Sequence, residues 1–205
     1  LEENGFLLVK DLYDVVEMYS PPPQVPGKYK YFQNDVNNYS LEPVEPQVNG
    51  STARYWHPQY RQIHTNIRLK IEKIIGRKLY NTYYYDRFYN PGQKLRKHVD
   101  REACEISVSV HIGTNIKGEG AKWPFWIKTP DTYDETDEVI IERGAIAGII
   151  MEPGDGVIYK GCERPHWREP LPLQYKKGLL GKKERIEGLY YHQIFFHYVL
   201  QDGRR

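Results

Sequence analysis

Alternating apolar and polar positions dominate the second half of the chain. In EISVSVHIG, Ile106, Val108, Val110 and Ile112 alternate with Ser107, Ser109 and His111, the period-two signature of a half-buried strand. LYNTYYYDRFY (79–89), Leu95 to Asp100, WPFWI (123–127), EVIIE (138–142), GAIAGIIM (144–151), GVIYK (156–160), the stretch around His166 and LYYHQIFFHYVL (189–200) read as further strands. Asn90-Pro91-Gly92 and Pro153-Gly154-Asp155-Gly156 supply turns between them. Upstream the period changes. Ile63, Ile67, Ile71, Ile74 and Ile75 form an amphipathic stripe after His57-Pro58, and Gly76 follows as a C-terminal cap, so a helix is predicted over 57–76. Its basic residues Arg61, Arg68, Lys70 and Lys73 are expected to face solvent. Residues 1–18 read as a strand followed by a short helix.

The stretch 20–55 is rich in Pro, Asn and Tyr and has no sustained period; prolines at 21, 22, 23 and 26 exclude regular helix there. It is expected to be a surface excursion, or, on a sharper reading, a substrate lid. One helix followed by roughly eight short strands predicts a mainly β chain with flanking helices, an antiparallel sandwich or barrel. The expected organisation is one domain over 1–205: an N-terminal extension to 56, a supporting helix, and a β core over 79–200.

Composition narrows the partners. The 205 residues suffice for one real core, and 29 basic against 27 acidic side chains leave a formal charge of +2 without a dense basic block. No dedicated surface for nucleic acid or anionic membrane is expected. No apolar run approaches the roughly 18 residues of a membrane span. Two cysteines, Cys104 and Cys162, make no disulfide framework, so a reducing, cytoplasmic setting is expected. The 18 tyrosines are expected on half-buried sheet surface rather than as a platform for bases.

The chemistry concentrates in two stretches, YNPGQKLRKHVD (89–100) and YKGCERPHWREP (159–170). Side chains alternate along a strand, so His98 and Asp100 share a face, and His166 can close a set of three from a distant strand. Two histidines and a carboxylate on one face of an ion, with other positions open, suit a non-haem Fe(II) oxygenase. Of the seven histidines, His57 and His64 read as structural or surface residues. His111 falls on the polar phase of its strand and is expected at the surface. His192 and His197, five apart, are expected to face opposite ways, so that one points inward.

With Tyr89-Asn-Pro91-Gly92-Gln-Lys-Leu95-Arg-Lys-His98-Val-Asp100 and, later, Pro153-Gly154-Asp155…His166, the chain resembles the Fe(II)/2-oxoglutarate-dependent oxygenases of the prolyl-hydroxylase-like branch, small microbial and phage-type members above all. The resemblance covers roughly residues 58–200 and implies a double-stranded β-helix (jelly roll). It implies His98, Asp100 and His166 as Fe(II) ligands, 2-oxoglutarate and O₂ as co-substrates, ascorbate as a candidate accessory, and succinate and CO₂ as co-products. Retention of Asp100 points to hydroxylation, since halogenating relatives lack that carboxylate. Tyr89 matches the tyrosine that commonly helps to bind 2-oxoglutarate.

The cation that grips the far carboxylate of 2-oxoglutarate departs from the family pattern. Its usual place, nine to eleven residues after the distal histidine, holds Tyr175, Lys176 and Lys177. Arg168, two residues after His166, is the better candidate, with the lysines or Arg185 as alternatives and a surface salt bridge to Glu169 as its bland role. Arg101 is expected to orient Asp100 or the substrate, and Glu105 to lie on a polar strand phase. Trp123, Trp126 and Trp167 belong to the core or to the substrate mouth. The substrate expected first, by analogy, is a prolyl residue of a protein or peptide, and second a small metabolite. A cupin-like isomerase or hydrolase and a catalytically silent binding module are the rival readings.

Overall fold

The computed structural model describes residues 1–32, 35–130 and 144–203. Fourteen strands run β1 (Phe6–Val9), β2 (Lys28–Phe32), β3 (Asp35–Glu42), β4 (Thr52–Tyr55), β5 (Leu79–Tyr89), β6 (Leu95–His98), β7 (Ile106–Thr114), β8 (Phe125–Lys128), β9 (Ile146–Ile149), β10 (Gly156–Lys160), β11 (His166–Arg168), β12 (Tyr175–Lys177), β13 (Lys183–Arg185) and β14 (Tyr191–Leu200). Among the described residues the α-helices are α1 (Val15–Met18) and α2 (Arg61–Ile75). The strand predicted at 138–142 lies outside the described residues.

Eight strands form the major sheet in the order β1-β10-β7-β14-β5-β4-β2-β3, and four form a minor sheet, β6-β11-β8-β9. All pairings are antiparallel except β2 with β4. The stretch 20–55 is therefore more than a surface excursion: β2, β3 and β4 extend the major sheet. Its prolines are consistent with this because they precede the strands and leave the ladder intact. The stretch is pinned by Arg54, which donates from Nε to both Asp86 carboxylate oxygens at 3.1 Å and from Nη1 to Ser20 Oγ at 2.9 Å. The insertion after Arg168 likewise holds a small hairpin, β12 with β13.

Helix α2 lies where the isoleucine stripe predicts, after a 3-10 turn at Pro58–Tyr60. Ile63, Ile67 and Ile71 pack into the cluster formed by Ile106, Val108, Val110, Ile158, Ile194, Phe196 and Tyr198. Each such burial removes a large apolar side chain from water, about 1.5–3 kcal/mol. Gly76 ends the helix at φ 68°, with its N–H on Glu72 O at 3.0 Å, a left-handed cap that glycine adopts without strain.

This packing settles which face of the major sheet looks where. The apolar phase of β7 faces the helix layer, so Ser107, Ser109 and His111 point into the space between the two sheets, where all three are buried. The surface expectation for His111 is thereby corrected. A central strand covered on both sides buries both its phases, and the alternation marks a lined interior rather than solvent. The same holds for β14. His192 and His197 do face opposite ways, but both are buried, His192 beside Asp86 and Phe88 and His197 beside Ser107 and Tyr83.

Candidate metal centre

The minor sheet brings together two motifs remote in sequence. His166 on β11 is the register partner of His98 on β6, and their ring centroids lie 4.4 Å apart. β6 ends at His98 rather than running on to Asp100; the chain bends there, and Asp100 N donates to Gly161 O at 2.9 Å. That bond turns the Asp100 carboxylate towards the histidines. Asp100 Oδ1 sits 3.5 Å from His98 Nε2 and 3.5 Å from His166 Nε2, so the three side chains converge as a group that could hold a metal ion.

The histidine tautomers follow from the backbone. His98 Nδ1 faces Arg96 O at 2.8 Å, and His166 Nδ1 faces Arg164 O at 2.9 Å. A carbonyl only accepts, so each Nδ1 carries the proton and each Nε2 presents its lone pair to the shared point. Burial raises the Asp100 pKa, and the positive charge that a proton on His166 or His98 would place beside it lowers it, the net direction being well below the usual carboxylate range. Two neutral imidazoles and one anionic carboxylate around a common point suit a divalent cation of the Fe(II) type.

Sequence reasoning missed several contributors. Ser107 Oγ donates to Asp100 Oδ2 at 2.8 Å and lies 3.0 Å from His197 Nδ1. Gly161 packs so closely that a Cβ there would meet Asp100 Oδ2, Cys104 O and Ser107 Oγ, each at 2.5 Å. Gln47 reaches over the centre, with Nε2 3.2 Å from His98 Nε2 and Oε1 accepting from Tyr85 OH at 3.4 Å. Its segment is anchored by Glu45, which pairs with buried Arg87 at 2.9 Å, and by buried Val48. Polar residues on the inner phase of otherwise apolar strands were a usable signal for Ser107, Arg87 and His197. Nothing in the sequence marks Gln47.

Farther into the same interior, Arg168 is 1% exposed. Its guanidinium lies 4.4 Å from the ring centre of Trp123, 5.1 Å from that of Tyr191 and 5.7 Å from that of Phe125. Nη1 donates to Trp123 O, while among the described residues Nε and Nη2 have no hydrogen-bond partner. Tyr191 OH and His111 Nδ1 are also buried without partners, and the His111 ring stacks on that of Tyr191 at 4.1 Å. Burial without a carboxylate lowers the Arg168 pKa, and burial pushes that of His111 down to about 3.

The other candidates separate. Glu169 Oε1 accepts from Trp167 Nε1 at 2.9 Å, so it does not pair with Arg168. Lys176 and Lys177 are exposed on the hairpin, and Arg185 Nη2 donates to Pro91 O at 3.0 Å. Tyr89 is fully buried, its hydroxyl accepting from Arg87 Nη1 at 3.3 Å. Trp123 belongs to the core, whereas Trp126 and Trp167 form a half-buried stacked pair with centroids 6.4 Å apart. The Arg101 guanidinium lies over Tyr83 at 4.4 Å. Glu105 lies outside β7, where its Oε2 accepts from Leu200 N at 2.7 Å. Cys104 and Cys162 are both free thiols, and among the described residues no helix is long and apolar enough to cross a membrane.

No family model matches the sequence, and no curated protein matches it. Solved structures match the fold. AviO1 from Streptomyces viridochromogenes Tue57 superimposes with a TM-score of 0.57 at 10% identity, over 99% of this chain and 93% of that one. The viral collagen prolyl hydroxylase vCPH of Paramecium bursaria Chlorella virus-1, solved as its 2OG complex, gives 0.51 at 10% identity over 97% and 98%. A prolyl hydroxylase from Trichoplax adhaerens, solved with a hypoxia inducible factor peptide fragment, gives 0.52 at 11% over 96% and 84%. At such identities the likeness is one of fold. The chain has the mainly β, jelly-roll fold of 2-oxoglutarate-Fe(II) oxygenases, the family that its two motifs resemble.

Proposed function

We propose that this chain is an Fe(II)- and 2-oxoglutarate-dependent oxygenase that hydroxylates a C–H bond of its substrate. The observation that carries the reading is the convergence of His98 Nε2, His166 Nε2 and Asp100 Oδ1, with both Nδ1 protons tied back to carbonyls. The three would hold Fe(II) from one side, the side opposite being left to co-substrate and oxygen. Bound Fe(II) would supply the oxidative chemistry, coupling hydroxylation to conversion of 2-oxoglutarate into succinate and CO₂.

Arg168 supports the co-substrate. A buried guanidinium with two free N–H-bearing nitrogens is costly unless an anion pairs with it, and a carboxylate fits its fork. Arg168 would take the far carboxylate of 2-oxoglutarate, and the Tyr89 and Tyr191 hydroxyls would complete its hydrogen bonding. The aromatic walls Phe125, Tyr159 and Trp123 exclude water from that path. A prolyl residue of a protein or peptide is the first substrate to try, and a small metabolite the second.

The test is succinate formation from 2-oxoglutarate with Fe(II), ascorbate and O₂, for wild type and His98→Ala. Turnover that vanishes in the variant supports the reading. Absence of both turnover and 2-oxoglutarate binding to metal-loaded protein overturns it in favour of a cupin-like activity.

A further inference from the structure

Two cavities open on either side of Gln47 and share Pro46, Gln47 and His98. One, of about 950 Å³, runs towards Lys30 and Arg101; the other, of about 580 Å³, runs towards Lys94 and Arg96. Together they make a groove across His98, with Asp100 also lining the larger arm. Pockets for small molecules reach about 1,000 Å³ at most, so the groove has room for a chain that passes through it.

Its charge is one-sided. Lys30 comes from β2 and Lys94, Arg96 and Arg101 from the stretch around β6, and among the described residues none of them has a carboxylate partner. The carboxylates of the groove are all engaged: Glu42 pairs with Lys28 at 3.0 Å, Glu45 with Arg87 at 2.9 Å, and Asp100 belongs to the triad. A formal charge of +2 over the whole chain conceals this local excess, which favours an anionic occupant.

The groove's aromatic rings decide which kind of anion. Single-stranded nucleic acid needs open ring faces on which bases stack. Here Tyr83 is covered by Arg101 at 4.4 Å, Tyr55 lies between Lys28 at 5.0 Å and the Tyr85 ring at 4.7 Å, and Trp56, edge-on to Tyr84 at 5.4 Å, is a single ring rather than a run of faces for successive bases. A polypeptide needs an amide partner instead. Gln47 offers one where the two cavities meet, 3.2 Å from the His98 nitrogen whose lone pair a metal would take. With that lone pair committed, the Gln47 NH₂ is free to donate to a peptide carbonyl, its Oε1 already accepting from Tyr85 OH.

We propose that the groove binds an acidic polypeptide segment, laid across His98 with carboxylates in both arms and a peptide carbonyl on Gln47. The reaction at the crossing point rests on the oxygenase reading, whereas the binding does not.

The experiment measures fluorescence anisotropy of a labelled Glu- and Pro-rich peptide with the full chain, with and without Mn(II). Its Gln-for-Glu counterpart and a single-stranded oligonucleotide of equal charge serve as competitors. The acidic peptide is expected to bind about tenfold more tightly than the neutral one, less so as salt is raised. Affinity should fall about fivefold or more in Lys30→Gln/Arg101→Gln and in Lys94→Gln/Arg96→Gln, given modest contributions from each exposed charge. It should hold in Lys182→Gln/Lys183→Gln, on the exposed hairpin. Absence of binding, equal binding of the neutral peptide, tighter binding of the oligonucleotide, or equal loss in the hairpin variant would overturn the proposal. Succinate formation is followed in parallel. Charge-dependent peptide binding with neither succinate formation nor 2-oxoglutarate binding to the metal-loaded protein sinks the oxygenase reading and leaves the groove standing; succinate without such peptide binding does the reverse.

Discussion

Ser107 donates its hydroxyl proton to Asp100 Oδ2, at 2.8 Å, which is the carboxylate oxygen turned away from the two histidines. With that oxygen engaged, Oδ1 is the one turned to the two histidines and would be the oxygen offered to a metal held by the three residues. Loss of such supporting bonds typically costs about 10–100-fold in metal affinity. Ser107→Ala should therefore weaken Mn(II) binding, read by titration with electron paramagnetic resonance, about tenfold or more, with the circular dichroism spectrum unchanged. Undiminished affinity would show that the bond does not position the ligand.

Gly161 closes the same corner from behind. A methyl group there would contact Asp100 Oδ2, Cys104 O and Ser107 Oγ, each at 2.5 Å, and two of the three belong to the bond just described. Overpacking of a tight site costs about 1–3 kcal/mol. Gly161→Ala is expected to lower the urea midpoint and to abolish Mn(II) binding, since Asp100 has to move. A variant that binds metal normally would mean the backbone yields instead.

How much of this the sequence could tell depends on where each residue stands. The three residues were legible from the His-x-Asp pair and the turn motifs, although the strand alternation expected to give His98 and Asp100 a shared face stops at His98 and a bend held by Gly161 O brings the carboxylate round instead; helix α2 was legible because Ile63, Ile67 and Ile71 keep a strict stripe. His111 misled because alternation says that a strand has two faces, not what covers each. Here helix α2 covers the apolar face and the minor sheet the polar one. Strands β2 to β4 escaped notice because their Tyr, Asn and Lys residues lack a period, their place being secured by the Arg54–Asp86 pair. Gln47 owes its position to a loop held at Glu45, a contact between residues distant in the chain.

Acid should destabilise the fold well above the range in which carboxylates titrate. Burial lowers the His64 pKa to about 4 and that of His111 to about 3, against about 6.5 in the unfolded chain. The unfolded state thus binds more protons at pH 5, so stability is full above pH 6.5 and is lost as the pH falls towards 4. These two groups contribute about 1–3 kcal/mol per pH unit between pH 6 and 5, and His57, which burial also lowers to about 4, adds in the same direction. His64→Phe, which keeps an aromatic ring beside Phe196, should reduce the slope by about one proton. Urea unfolding at a series of pH values measures it, and a flat profile over this interval would refute the assignment.

Arg168 predicts an uncommon combination, a substitution that stabilises the fold while removing co-substrate binding. Its guanidinium is 1% exposed and, among the described residues, lacks a carboxylate and leaves Nε and Nη2 unpaired. The rings of Trp123, Tyr191 and Phe125 offset part of the cost through cation–π contact. The rest resides in a desolvated charge awaiting an anion, and replacing such charges by apolar residues of similar volume has stabilised other folds by about 1–4 kcal/mol. Arg168→Met should therefore unfold at higher temperature than wild type when no ligand is present. Addition of 2-oxoglutarate with Mn(II) should raise the wild-type midpoint through binding to the folded state and leave the variant where it was. Arg168→Lys, which keeps the charge but loses the fork, should respond weakly. A methionine variant that is less stable than wild type and still responds to 2-oxoglutarate would place the carboxylate elsewhere in the barrel, whereas the expected pattern would identify Arg168 as the cation that holds it.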